Sequence, residues 1–156
     1  MIAEDFCDVV SCLHKHNVEY LIVGAFAMAH FGYRRSTGAI DIFVRPTTDN
    51  SILIHHALSD FGAPLSEHGV SADFFAREGN FYQIGLPPNR IDFLTQIDGV
   101  TFAEAKAQAA QGSFAGTNVL LLSLEHLIKN KRATGRAKDV VDANELERLI
   151  AQRGVK

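Results

Sequence analysis

Two aspartates interrupt otherwise apolar stretches of this sequence, and they are the residues best suited to chemistry. Asp41 is flanked by two isoleucines, and Asp92 by an isoleucine and a phenylalanine. An unpaired carboxylate in such surroundings is costly, so a cation is expected beside each one. Two candidates are open at this point: an arginine close by in sequence (Arg34, Arg35 or Arg90), or a divalent metal ion. Two such acids in one chain favour the metal site.

A glycine turn comes before the first of these acids. The apolar run Tyr20–Val23 ends in Gly24 and Ala25, which begin a short helix of small residues. Glycine at a strand-to-helix turn lets backbone N–H groups approach a phosphate, although a simple tight turn also explains it. Ser36 and Thr37 follow in a polar connector and could donate hydroxyls to phosphate. Ordinary turn chemistry is the alternative for both, and it is favoured for Ser36.

A positively charged segment lies near the C-terminus, although the whole chain has a net charge of −3. It contains Lys129, Lys131, Arg132, Arg136 and Lys138. Either this is a solvated helix end, or it neutralises a polyphosphate. Asp139 and Asp142 follow three residues apart on one predicted helix face, so we expect them to pair with these cations.

Composition and motifs exclude several classes of protein. The chain is 47% hydrophobic and 21% charged, as in ordinary globular domains. Its net charge gives no overall attraction to nucleic acid or to an anionic membrane. We expect no signal peptide and no membrane span, because no apolar run approaches the roughly 20 residues required. Cys7 and Cys12 are not expected to bond to each other, which fits a reducing cytoplasm. Zinc-site motifs and nucleophile elbows are absent.

The hydrophobic pattern predicts a single α/β (α+β) domain over residues 1–156, with a small mixed sheet flanked by helices. Helices are predicted at about 3–16, 25–30, 48–61, 102–110, 124–133 and from 137 to the C-terminus. Strands are predicted at about 20–23, 39–45, 81–84, 90–95 and 119–122, the third and fourth forming a hairpin. Residues 62–80 are predicted to be loop with one helical turn. A residue within 47–49 and Ser123 are the predicted N-caps of the third and fifth helices.

Together these residues resemble the nucleotidyltransferase superfamily, which has the fold of DNA polymerase β. Its signature is Gly-[Gly/Ser], then Asp-x-Asp/Glu, then a third acid on a later strand. Gly24-Ala25 resembles the first element, with a mild departure at its second position. Ala39-Ile40-Asp41 resembles the paired acids, and Asp92 the third acid.

The resemblance extends to small bacterial stand-alone members related to abortive-infection and toxin-type transferases. These often carry Val-Gly-Gly-x-Ala, a His-Gly pair, and Arg-x-Thr ahead of the acids. The matching residues here are Val23, Gly24, Ala25, Phe26, Ala27, His30, Gly32, Arg35 and Thr37. Near their C-terminus such proteins have a lysine followed by Arg-x-Lys-Asp-x-x-Asp. The matching residues here are Lys131, Arg136, Lys138, Asp139 and Asp142.

The resemblance implies transfer of a nucleoside monophosphate from a nucleoside triphosphate such as ATP to an acceptor hydroxyl, with Mg²⁺ or Mn²⁺ as cofactor. Asp41 and Asp92 would bind the metal together with an aspartate expected at position 39, and Asp92 could accept the proton of the acceptor. Lys131 would join these two acids as a catalytic residue. The implied nucleotide-binding residues are Gly24, Ala25, Arg35, Ser36, Thr37, Lys131, Lys138 and Asp139.

Several partners are compatible with this resemblance. The acceptor could be transfer RNA or another RNA, a protein side chain, or a small hydroxylated compound. A homodimer or a cognate antitoxin is the protein partner that it suggests, and the cytoplasm is the expected location.

Ala39 is the main departure from the family, because it stands where the first metal-binding aspartate belongs. Removing one carboxylate from a two-metal site should weaken metal binding and slow phosphoryl transfer. Two explanations are open: a deliberate substitution that traps substrate, or a natural degenerate relative. In the second case the chain is a non-catalytic nucleotide-binding or toxin–antitoxin module. A purely structural domain is a third interpretation, and it predicts no nucleotide binding.

Overall fold

A computed structural model describes residues 4–153 of the chain. It has six helices and a six-stranded mixed sheet, with 47% of residues helical and 21% in strands, which confirms the predicted fold class. The helices are α1 (Glu4–Lys15), α2 (Gly24–His30), α3 (Thr48–Phe61), α4 (Phe102–Ala107), α5 (Leu124–Thr134) and α6 (Ala137–Arg153). The strands are β1 (Tyr20–Val23), β2 (Ala39–Val44), β3 (Phe81–Ile84), β4 (Arg90–Leu94), β5 (Ala110–Phe114) and β6 (Thr117–Leu121).

The sheet has the strand order β3-β4-β2-β1-β6-β5. Its central strands β2 and β4 run parallel, while β1 lies antiparallel to β2 on the other side. The β3–β4 hairpin and the β5–β6 hairpin form the two edges. The two strands that carry the aspartates, β2 and β4, therefore each have a neighbouring strand on both sides.

Local sequence signals begin and end the helices as predicted. The Thr47 side chain accepts a hydrogen bond from the backbone N–H of Asn50, and the Ser123 side chain accepts one from His126. Gly62 ends α3 in the left-handed conformation, with a φ of 98°. These caps satisfy backbone groups that a helix end leaves without partners.

The prediction was wrong in one region. The alanine-rich stretch predicted as helix to residue 110 leaves the helix after Ala107, and Ala110–Phe114 forms the edge strand β5. A turn at Ala115 and Gly116, both with positive φ, then returns the chain into β6, which begins at Thr117 and not at 119. Pairing along the hairpin overrides the helix propensity of alanine, which is a weak and local preference.

The loop at 62–80 contains the predicted single helical turn, a 3₁₀ turn at Phe74–Ala76. Buried Ser51 on α3 fastens this loop, because its hydroxyl donates to the backbone oxygen of Ala72 and accepts from the N–H of Phe75. Within residues 4–153, no helix combines the length and the apolar character that crossing a membrane requires.

Candidate active site

Asp41 and Asp92 are direct neighbours on adjacent strands. They are Cα partners in the parallel pairing of β2 and β4, so their side chains emerge on the same face of the sheet. The two carboxyl groups are close enough for Asp92 to raise the pKa of Asp41. The structure thus brings together the two acids that the sequence singled out.

This closeness has an electrostatic consequence. Burial, and then the negative charge of Asp92, raise the pKa of Asp41 to about 7, although Arg90 and Lys131 act in the opposite direction. Two carboxylates that share one site do not ionise independently, because their like charges repel. The pair therefore favours either one shared proton or an added cation.

Arg90 supplies a cation to one member of the pair. Its Nε donates to Oδ1 of Asp92 at 2.8 Å, and its Nη2 donates to Oδ2 at 3.0 Å. The arginine partner that the sequence left open for Asp92 is therefore present. Such a two-pronged contact is stronger and more directional than a single hydrogen bond.

Ala39 lies beside that arginine. It is the Cα partner of Arg90 across the β2–β4 pairing, and it is 4% exposed. As residue 39 and residue 41 are two apart on a strand, they share a face. Where the resembled family has a carboxylate, this chain therefore has the methyl group of Ala39, on the residue that pairs with Arg90.

Gly24 is required at its position by the carboxylate of Asp41. It has a φ of 67°, and a Cβ built on it would lie 2.2 Å from Oδ2 of Asp41. Any side chain here would displace the aspartate, in addition to straining the backbone. The residue before it, Val23, occupies the N-cap position of α2 and offers no side-chain hydrogen bond to the first turn.

Lys131 on α5 lies opposite the acid pair and is held by α6. Its Nζ lies 3.2 Å from Oδ1 of Asp139 and 3.2 Å from Oδ2 of Asp142. Asp139 also accepts hydrogen bonds from Thr134 and Arg136. Burial alone would raise the pKa of Asp139, but the hydrogen bonds from Thr134 and Lys131 lower it to about 2. The predicted pairing of both acids with the cationic segment is confirmed.

Asp142 extends this network to the segment ahead of β2. Arg35 forms an ion pair with its carboxylate, and the hydroxyl of Tyr33 donates to it at 3.0 Å. Arg35 thus fixes the connector against α6. This interaction accounts for the Arg35 side chain without a bound ligand.

A cleft of about 270 Å³ lies between these groups. Four of the predicted site residues line it: Gly24, Asp41, Lys131 and Asp139. The other lining residues are Val23, Leu94, Gln96, Ile97, Asp98, Asn130, Thr134 and Arg136. Asp92, which is buried, does not itself line the cleft.

The remaining predicted nucleotide-binding residues lie outside the cleft lining. They are Ala25, Arg35, Ser36, Thr37 and Lys138. The hydroxyl of Thr37 donates to the backbone oxygen of Ala39 at 2.8 Å, which is the turn chemistry considered from the sequence. Lys138 is exposed. The geometry therefore gives no direct role to these side chains.

Sequence reasoning missed Gln96, Asp98 and Asn130 as cleft residues. Gln96 and Asp98 follow the end of β4, and Asn130, whose side chain donates to the backbone oxygen of Asp98, precedes Lys131. Because two of them follow the strand that carries Asp92 and the third is adjacent to Lys131, the sequence could have indicated that they lie near the site.

The residues present do not fit the two-metal centre that the resemblance implies. Within residues 4–153, no group of three or more His, Cys, Asp or Glu side chains could hold a metal ion. On the strands, the acid pair consists of Asp41 and Asp92 alone, since position 39 is alanine, and both oxygens of Asp92 are engaged by Arg90.

Neither the comparison with protein-family models nor that with curated proteins gives a match for this chain.

Proposed function

We propose that this chain is a nucleotidyltransferase-type domain that binds a nucleoside triphosphate in the cleft beside Asp41. The observation that carries the proposal is the placement of Asp41 against Asp92 on adjacent strands, facing Lys131 across the cleft. With aspartate at position 39, the domain would transfer a nucleoside monophosphate to an acceptor hydroxyl. An RNA, a protein side chain or a small hydroxylated compound is the proposed acceptor, in the cytoplasm.

The charges around the cleft support polyphosphate binding. Lys131 is fixed by two buried carboxylates, so little conformational entropy is lost when it contacts a phosphate. Arg136 lines the same cleft with a side chain that is 73% exposed, which leaves donors for a ligand. Catalysis of phosphoryl transfer is mostly positioning and charge stabilisation, so a scaffold of this size suffices.

Ala39 favours a second function for the chain as it stands, namely nucleotide binding without transfer. The carboxylate that the resembled family has at position 39 is absent here, and Arg90 binds both carboxylate oxygens of Asp92. We therefore expect the domain to retain nucleotide without consuming it. A module of this kind could act through a second copy of the chain or through an antitoxin-type partner.

The first test is nucleotide binding by two lysine variants. Lys131→Met removes the cation in the cleft, whereas Lys129→Met removes an exposed lysine of the same helix that lies outside the cleft lining. We expect calorimetry with each of the four nucleoside triphosphates to show loss of binding only for Lys131→Met. Arg136→Met, which removes a mostly exposed side chain, should weaken binding without a folding defect. Equal binding by all variants would contradict the proposed site.

The second test restores the carboxylate at position 39. The Ala39→Asp variant and the parent are incubated with α-labelled nucleoside triphosphates, Mg²⁺, total RNA and cell proteins. Label transfer by the variant alone would support the transferase. Absence of transfer by both proteins, with equal nucleotide binding, would favour the non-catalytic module.

A further inference from the structure

We propose that Arg90 is the resident counter-cation of the acid pair, that it competes with divalent metal ions for Asp92, and that residue 39 decides where the Arg90 guanidinium lies. The inference concerns the proposed nucleotide site, but it is tested with metal alone. Its consequence is that this chain binds polyphosphate without the divalent ion that the resembled family requires.

Arg90 already holds the carboxylate of Asp92. That carboxylate is mostly buried, and one guanidinium donates to both of its oxygens, at 2.8 and 3.0 Å. A divalent ion needs those same lone pairs, because carboxylate oxygens are its preferred ligands. Metal binding at Asp92 therefore requires displacement of a charge-assisted, two-pronged contact.

Ala39 is the residue that pairs with Arg90 on the neighbouring strand. Side chains that are partners on adjacent strands have Cβ atoms roughly 5 Å apart, so a carboxylate at position 39 would be within reach of the guanidinium. Alanine offers no acceptor. The Arg90 side chain, which is 33% exposed, instead turns along its own strand to Asp92 two residues on.

The neighbouring cations form ion pairs with other carboxylates. Lys131 is shared between Asp139 and Asp142, and Arg35 pairs with Asp142. Within the described part of the chain, Arg90 is the cation that directly bonds the acid pair. Removing its charge leaves two adjacent carboxylates whose repulsion another cation would relieve.

The test is Mn²⁺ binding at pH 8 without nucleotide, measured from the electron paramagnetic resonance signal of free Mn²⁺. We expect Arg90→Gln to bind Mn²⁺ about tenfold more tightly than the parent, the factor expected when one charge-assisted hydrogen-bonded cation stops competing. Ala39→Asp should also bind more tightly than the parent, because it draws Arg90 away and adds a ligand. Arg45→Gln removes an arginine from a separate ion pair with Glu19 and should change nothing.

Thermal unfolding checks that each variant is folded. If Arg90→Gln does not fold, Arg90→Lys replaces it, since a lysine cannot engage both carboxylate oxygens in the same way. The lysine variant should bind Mn²⁺ more tightly than the parent but less tightly than Ala39→Asp. A folded Arg90→Gln or Arg90→Lys variant that binds no more tightly than the parent would overturn the inference.

Nucleotide binding separates this inference from the proposed function. Loss of the expected Mn²⁺ ranking while nucleotide still binds would refute only the role of Arg90. The expected ranking in a protein that binds no nucleotide would refute only the proposed function. In the parent, binding of nucleoside triphosphate should be unchanged by a chelator, and a large decrease would overturn the metal-independent binding inferred here.

Discussion

Replacing Asp41 by asparagine should stabilise the folded protein at pH 8 and remove part of its pH dependence. In the folded state the pKa of Asp41 is raised to about 7, first by burial and then by the charge of Asp92, from an ordinary value of 3.8. Between these two pH values the folded carboxyl holds a proton that the unfolded chain has released. Stability therefore falls as the pH rises through this window, and then levels off.

The size of the effect follows from the two pKa values. A difference of about 3 pKa units, at 1.36 kcal/mol for each unit, gives an upper limit of about 4 kcal/mol at pH 8. Asp41 also faces the cleft, where water solvates the charged form, so we expect about 2–4 kcal/mol. Asparagine has nearly the same shape and stays neutral, so the variant avoids this cost.

The assay is urea unfolding of the parent and of Asp41→Asn at several pH values between 4 and 8. The difference in the free energy of unfolding should be smallest near pH 4 and should grow in favour of the variant up to pH 8. Asp60→Asn is the control: hydrogen bonds from His16 and Lys15 lower the pKa of Asp60 below 3.8, so this variant should be less stable than the parent by an amount that Asp60 itself does not change between pH 4 and pH 8. A constant difference between the parent and Asp41→Asn from pH 4 to pH 8 would refute the reasoning.

Three further substitutions test the structure around the site. Gly24→Ala should reduce stability and nucleotide binding more than Gly69→Ala. The two glycines have similar φ angles, 67° and 70°, but only a Cβ at position 24 would lie against a carboxylate. Equal losses would show that backbone strain accounts for the whole effect. Ser51→Ala should lower the free energy of unfolding by about 1–3 kcal/mol in thermal unfolding, since it leaves the N–H of buried Phe75 unpaired and removes the hydrogen bond to the backbone oxygen of Ala72. Asp142→Asn should lower the free energy of unfolding in urea by about 3–5 kcal/mol, because Lys131 loses a fully buried counter-charge. A decrease below 1 kcal/mol would contradict this expectation.

Most of the fold could be predicted because its signals are local. The run Tyr20–Val23 is fully buried, and four apolar residues at helical spacing in α1 face the core: Phe6, Val9, Val10 and Leu13. The strand at Ala110–Phe114 could not be predicted, because alanine and glycine are poor strand formers and Phe114 is its one residue that favours a strand. Its conformation depends on pairing with β6 through the two-residue turn at Ala115 and Gly116.

The site was predicted in part for the same reason. Alternation along a strand shows that residues 39 and 41 share a face, and the apolar neighbours of Asp92 show that it needs a partner. That Asp41 lies beside Asp92 depends on the register between β2 and β4, which are separated by the 45 residues from Arg45 to Asn89. The fixed position of Lys131 likewise depends on the packing of α5 against α6.

That register is enforced by the core and not by the acid pair that it creates. On the opposite face of the same two strands, Ile40 lies beside Ile91 and Ile42 beside Phe93, and all four side chains are at most 1% exposed. A shift of one residue would turn either pair toward the cleft, so the pairing is strongly specified. Arg90 is therefore placed beside position 39 whatever residue stands there. Substitutions at 39 and 90 should change the cation that the acid pair holds while leaving the strands where they are.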